Sequence, residues 1–211
     1  MLTEVIDFFI DAYKGTPAYL IILEGIVFVF GILSVYYAKN ANILVYPTGI
    51  ICTAITVYIL NVNEYYGDMM MNFYYSIMSI YGWWNWSRKK EDKYVVPISR
   101  TNSKEKGIGV LFFVITMIIT FLVYKAYDYE LQIPNYFDIL TSGIFFTAMW
   151  YMANKKLENW TLWIIGNLIT IPLYAYRGLG MLSLQYVIFT IIAIQGYIGW
   201  KKSLNKSLQI A

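Results

Sequence analysis

"YGWWNWSRKK", Tyr81–Lys90, closes one long apolar run, and "QGYIGWKK", Gln195–Lys202, closes another far downstream. Each carries a glycine, a tryptophan four residues later and then a basic cluster: Gly82 and Trp86 in the first, Gly196 and Trp200 in the second. A tryptophan beside lysines anchors a helix end at a membrane interface, which explains either ending taken alone. Anchoring does not explain the shared glycine spacing. That spacing points to a duplicated unit.

The composition sets the solvent. Of 211 residues, 59% are hydrophobic and 14% charged, where an ordinary soluble domain has roughly 45–50% and about 25%. The chain reads as an all-α integral membrane protein, because lipid leaves an open strand's backbone unsatisfied and nothing alternates like a barrel strand. Seven segments have the length of a membrane helix: Ala18–Ala38, Asn42–Leu60, Met69–Ser87, Ile108–Ala126, Asp138–Asn154, Trp160–Tyr176 and Met181–Trp200. Lys39, the seven bases between Arg88 and Lys106, Lys155, Lys156, Lys201, Lys202 and Lys206 then fall on one side, and only Lys14, Lys125 and Arg177 on the other. The positive-inside rule makes the first side cytoplasmic, with the N-terminus outside. "MLTEVIDFFIDAYK" carries acids where a signal peptide carries bases, so residues 1–17 are expected as an amphipathic surface segment and not a cleaved leader.

The likeness between the two endings continues upstream. "YPTGI" (Tyr46–Ile50) is matched with "WIIGN" (Trp163–Asn167), and "YYAKNAN" (Tyr36–Asn42) with "ANKKLEN" (Ala153–Asn159). Residues 18–90 and 138–202 read as two three-helix repeats. Residues 91–137 supply a cytoplasmic loop and a linker helix, and 203–211 a tail. A triplet has an odd number of crossings, so one inserted helix is needed to keep the second triplet parallel to the first. This 3+1+3 plan is the architecture of the sugar-carrying SWEET proteins, and carriers built from repeats bind substrate between them near mid-membrane. Pro47 and Pro172 occupy nearly matching places, as hinges or as fixed bends.

Several chemistries drop out. The chain has no histidine and one cysteine, Cys52, which removes His-based nucleophilic catalysis, the common zinc motifs and any internal disulfide. The membrane region offers too few oxygen anions for a bare metal ion, and neither a metal nor a cofactor is expected. Nucleic acid is no partner, since the bases collect at helix ends and form no stripe. What remains is polar chemistry that looks wasteful in lipid. Glu24 within "LIILEGIVF" is a costly carboxylate, although near enough the outer end to be interfacial. Asn72 and Asn167 lie inside apolar helices, where amides bind ligand or join helices. Gln185 and Gln195 are weaker candidates, and Asp138 at the start of helix 5 suits a helix N-terminus. Tyr75, Trp83, Trp86, Trp160 and Trp163 stand in an aromatic crowd. Rings with amides and a carboxylate suit a flat, polar, cationic molecule held by stacking and cation–π contact.

"YGWWNW" after "MNFYYSIMSI", "KNANILVYPTGI", and "LENWTLW" followed by "GYIGWKK" together resemble the PnuC family of bacterial nicotinamide riboside transporters, from about Glu24 to Lys202. The resemblance implies a SWEET-like 3+1+3 fold and a homotrimer in the bacterial inner membrane. It further implies inward movement of nicotinamide riboside by facilitated diffusion, with trapping by a cytoplasmic kinase. The family's Trp-rich motif matches Trp83, Asn85 and Trp86, and its Trp-x-x-Trp entry to helix 6 matches Trp160 and Trp163, with Asn167 following. Family members commonly write "GWYNW"; here Trp84 stands in the tyrosine position. Riboflavin and thiamine, carried by relatives, stay open as substrates, as does a SWEET-type sugar. A retinal protein would need a lysine deep in helix 7, and a membrane enzyme a clustered nucleophile or metal set. Neither is present.

Overall fold

The computed structural model describes residues 15–62, 66–90, 93–94, 96–126, 131–176 and 180–210. The expected amphipathic segment lies almost wholly outside them. Seven helices are present among the described residues: α1 Ala18–Lys39, α2 Val45–Val62, α3 Tyr66–Ser87, α4 Ser103–Ala126, α5 Ile133–Ala153, α6 Glu158–Tyr176 and α7 Gly180–Ile210. Four of them are long and apolar enough to cross a membrane by length and composition: α1, α2, α4 and Leu182–Lys206 of α7. The other three are 22, 21 and 19 residues long, and their Tyr, Trp, Asn and Thr residues lower the mean hydropathy. Two elements depart from expectation. The α3–α4 link contains a two-residue hairpin, β1 Lys89–Lys90 against β2 Lys93–Tyr94, and α7 runs ten residues past Trp200.

Hydroxyls are hidden inside these helices by bonding back one turn: Thr56 to the Cys52 carbonyl, Thr170 to Gly166 and Thr190 to Tyr186. Capping boxes start two helices. Asn102 and Glu105 exchange side-chain and backbone bonds at α4, and Gln132 and Asn135 do so at α5. Asp138 is therefore not the residue that starts α5. It sits in the second turn and accepts from the Tyr124 hydroxyl of α4 at 3.0 Å.

Helix neighbours run in a closed cycle. α1 packs on α2, α2 on α3, α3 on α5, α5 on α6, α6 on α7, and α7 returns to α1. α4 stands outside the cycle against α5 and exposes Val110, Leu111, Ile118, Ile119 and Leu122, as a lipid-facing helix does. The ends of α1, α3 and α5, the starts of α2, α4 and α6 and the Trp200 turn of α7 lie together at one end. Trp86 bonds the end of α5, Trp200 bonds the end of α1, and Lys156 pairs with Glu105 at 2.7 Å. This is termed the basic end. Most of the fully buried large side chains gather there, in a cluster holding Tyr46, Trp86, Leu157, Trp160 and Trp200.

At this end the same arrangement occurs twice, at a constant separation of 114 residues. The α1–α2 and α5–α6 turns share one backbone pattern. Ala41 N–H bonds Ala38 O and Asn42 N–H bonds Tyr37 O; Lys155 N–H bonds Met152 O and Lys156 N–H bonds Tyr151 O. Both are Schellman closures, and both place a non-glycine residue, Ala41 or Lys155, at φ 50°. Tyr46 then lies on Gly82 beside Trp86, and Trp160 on Gly196 beside Trp200. This register corrects the sequence matching upstream of the endings. Tyr46 is the counterpart of Trp160 and not of Trp163, because the shared contact is a ring lying on a glycine, and tyrosine and tryptophan do that equally well. The prolines are not counterparts either. Pro47 falls in the first turn of α2 and Pro172 just before the last turn of α6, toward opposite ends of their helices.

Candidate functional site

The sequence candidates divide into three groups. The first comes together within the helix cycle. α3 presents Asn72, Tyr75 and Ser79 at helical spacing on one face. The Tyr75 ring lies 6.4 Å from Trp163 of α6, which stacks on Phe145 of α5 at 5.3 Å. Phe145 stacks in turn with Tyr186 of α7 at 6.1 Å, and Tyr186 meets Phe189 and Tyr174 edge-on. The result is a run of rings drawn from four helices. Gly166 makes room for it: a Cβ there would lie 2.3 Å from the Phe145 ring.

Asn167 follows Trp163 by one turn and is 2% exposed. Among the described residues its Oδ1 has no hydrogen-bond partner. A buried amide oxygen left unpaired costs on the order of 1–3 kcal/mol, and a bound donor would remove that cost. Across the cycle, the buried Gln185 of α7 lies against Gly31 of α1, where a Cβ would come within 2.9 Å of its Nε2. Glu24, further along α1, is half-buried.

The second group is at the basic end, away from that run. Trp86 and Trp160 are buried in the four-ring cluster. Gln195 is exposed and accepts from Lys39 Nζ at 2.9 Å. A cavity of about 320 Å³ beside the cluster is lined by Asn40, Ala41, Asn42, Ile43, Trp86 and Lys155. Lys155 Nζ sits 4.4 Å from the centre of the Trp86 ring, and burial lowers its ammonium below the ordinary lysine value.

The third group faces elsewhere. Trp83 is 44% exposed on the outer side of α3, two positions off the face that carries Asn85 and Trp86. Asp138 is engaged with α4, outside the cycle. Sequence reasoning passed over Phe145, Tyr186 and Phe189, which read as ordinary apolar packing. The one legible signal for Phe145 was a glycine, Gly166, on a facing helix.

Comparison with known proteins bears on the fold and the family. The family model described as nicotinamide mononucleotide transporter matches residues 21–202. Nicotinamide riboside transporter PnuC of Escherichia coli (strain K12) is 25% identical over 207 residues, with 87% of each chain covered. Its namesake from Neisseria mucosa is 26% identical over 196 residues, covering 87% of this chain and 73% of that one. The riboflavin/roseoflavin transporter RibM of Streptomyces davaonensis is 24% identical over 125 residues, 58% of either chain. In fold, the chain is similar to the crystal structure of the vitamin B3 transporter PnuC, with a TM-score of 0.71 at 22% identity, over 97% of this chain and 90% of that one. The chain belongs to the nicotinamide mononucleotide transporter family.

Proposed function

We propose that this protein carries nicotinamide riboside across the membrane, through the space between two parallel three-helix units, α1–α3 and α5–α7, joined by α4. The observation that carries the reading is Asn167: a buried amide oxygen without a partner among the described residues, one turn from Trp163 in a run of aromatic rings. A pyridinium ring stacks on such faces, and its carboxamide or ribose hydroxyls supply the donor that Asn167 lacks. Glu24 offers the negative charge a cation wants. The riboside is favoured over its phosphorylated form by charge. No Lys or Arg lies within the cycle helices except toward their basic ends, so these helices offer no base beside Asn167 to balance a phosphate dianion.

The constant 114-residue separation supports the repeat reading, and the pattern of basic residues makes the basic end cytoplasmic, with the N-terminus outside. Facilitated diffusion by alternating access, followed by phosphorylation in the cytoplasm, completes the proposal; a homotrimer is the assembly the family resemblance implies. Riboflavin is the second reading, favoured by the likeness to RibM over part of the chain. Calorimetric titration of the purified protein with nicotinamide riboside, riboflavin and thiamine separates them. Asn167→Ala is expected to weaken binding of the true substrate about tenfold, the worth of one buried hydrogen bond, while the protein still purifies folded. Unchanged affinity in that variant rejects the site.

A further inference from the structure

The basic end is shut by rings. Tyr46, Trp86, Trp200 and Trp160 follow one another with centroids 5.0, 6.2 and 5.5 Å apart, and none is more than 2% exposed. The two central rings are held crosswise. Trp86, on α3, donates Nε1 to the Ala153 carbonyl at the end of α5 at 3.1 Å, and Asn85 Nδ2 shares that oxygen at 3.0 Å. Trp200, on α7, donates Nε1 to the Lys39 carbonyl at the end of α1, also at 3.1 Å. Each bond leaves its own helix triplet and ends on the other. Each takes a last-turn carbonyl that no residue of its own helix can reach.

Three features separate this arrangement from ordinary packing. The acceptor carbonyls are the last of their helices and have no donor within them, so water that enters as the gate parts replaces the indole. The bond then contributes only its modest net value, about 3- to 10-fold in an equilibrium, which suits an element that must open repeatedly. Trp86 is also a shared wall: it belongs to the ring cluster on one side and lines the 320 Å³ polar cavity on the other. Finally, the outer contacts repeat the crossing pattern. Lys39 Nζ reaches Gln195 between α1 and α7, and Asn85 Nδ2 approaches Asn154 Oδ1 at 3.4 Å between α3 and α5.

We propose that Trp86 and Trp200 are the inner gate, closed in this structure, and that they govern passage without contacting ligand in the closed state. Opening parts the two indoles, releases the Ala153 and Lys39 carbonyls to water, and opens the way from the run of rings around Trp163 to the cavity lined by Asn40, Asn42 and Lys155. The idea rests on the transport reading for its purpose, but its labelling test needs no substrate.

Cys52 is the chain's one cysteine, so a Cys52→Ser background takes a single reporter thiol. Ser79 and Ala193 each precede a gate tryptophan by seven residues, two turns deeper on the same helix face, and both are buried. Ser79→Cys or Ala193→Cys, in membrane vesicles of known orientation, is exposed to a membrane-impermeant maleimide from the basic side. Labelling is expected to be slow with the gate intact. It should accelerate about 3- to 10-fold with Trp86→Phe or Trp200→Phe, and about 10- to 100-fold with both, since phenylalanine keeps a ring and loses the donor. Gln195→Ala, an exposed change that cannot disturb the core, is expected to give a rise of about twofold. Unchanged labelling in every variant overturns the proposal. So does acceleration that is equal from the opposite side, which means general loosening. A third overturning result is weaker nicotinamide riboside binding by Trp86→Phe with labelling unmoved, which makes Trp86 a ligand contact. Failure of the Asn167 titration leaves the labelling outcomes readable.

Discussion

Two glycines decide whether the ring cluster can form. A methyl group on Gly82 would lie 2.3 Å from the Tyr46 ring, and one on Gly196 would lie 2.7 Å from Trp160. The rings are clamped by their neighbours, so neither can give way. Gly82→Ala and Gly196→Ala are each expected to cost about 2 kcal/mol, read as a lowered unfolding midpoint in detergent. Gly199→Ala, with open space beyond it, is the control and should hold or slightly raise the midpoint, since alanine is the better helix former by about 0.5–1 kcal/mol. At this scale the sequence was partly legible. A repeated Gly-x-x-x-Trp marked the contact, and an asparagine in an apolar helix marked Asn167. Which tryptophan faced inward was not legible, because Trp83, Trp84 and Trp86 differ only by their angle around the helix, and helix phase depends on partners distant in sequence. Gln195 was misread for a related reason: its partner, Lys39, is 156 residues away.

Among elements, the link from α3 to α4 is tied down more firmly than its polar composition suggested. Ser99 and Leu157 pair through their backbones, Thr101 N–H bonds the Glu158 carboxylate, and Lys156 bridges Ser99 and Glu105. Lys156 and Glu105 are only 14% and 23% exposed in their side chains, so solvent screens them incompletely. Lys156→Ala is expected to remove about 1 kcal/mol, with a loss that shrinks as salt is added. Unfolding midpoints at two ionic strengths check both parts. Helix positions were readable to within a few residues from apolar run lengths. The extension of α7 to Ile210 was not, because residues past Trp200 are polar and lie beyond any membrane-length window. The start of α5 was misjudged because an acid at position 138 looked like a helix start, whereas the Gln132–Asn135 box and Pro134 already supply one.

For the whole molecule, the membrane class and the seven helices among the described residues followed from composition and run length alone, since hydrophobic stretches of this size have few other homes. The cycle of helix neighbours did not, because nothing in a linear pattern says that α3 meets α5 while α4 stands aside. That position has a consequence. If α4 only tethers, a polypeptide severed between β2 and α4 retains every contact between the two triplets. Each fragment also keeps its own cluster of lysines and arginines to orient its insertion. Separately encoded pieces, one ending near Tyr94 and one beginning near Val96, are expected to co-purify through an affinity handle on either partner and to restore uptake in cells. Neither piece should do so by itself, just as half a barrel stave set holds no water.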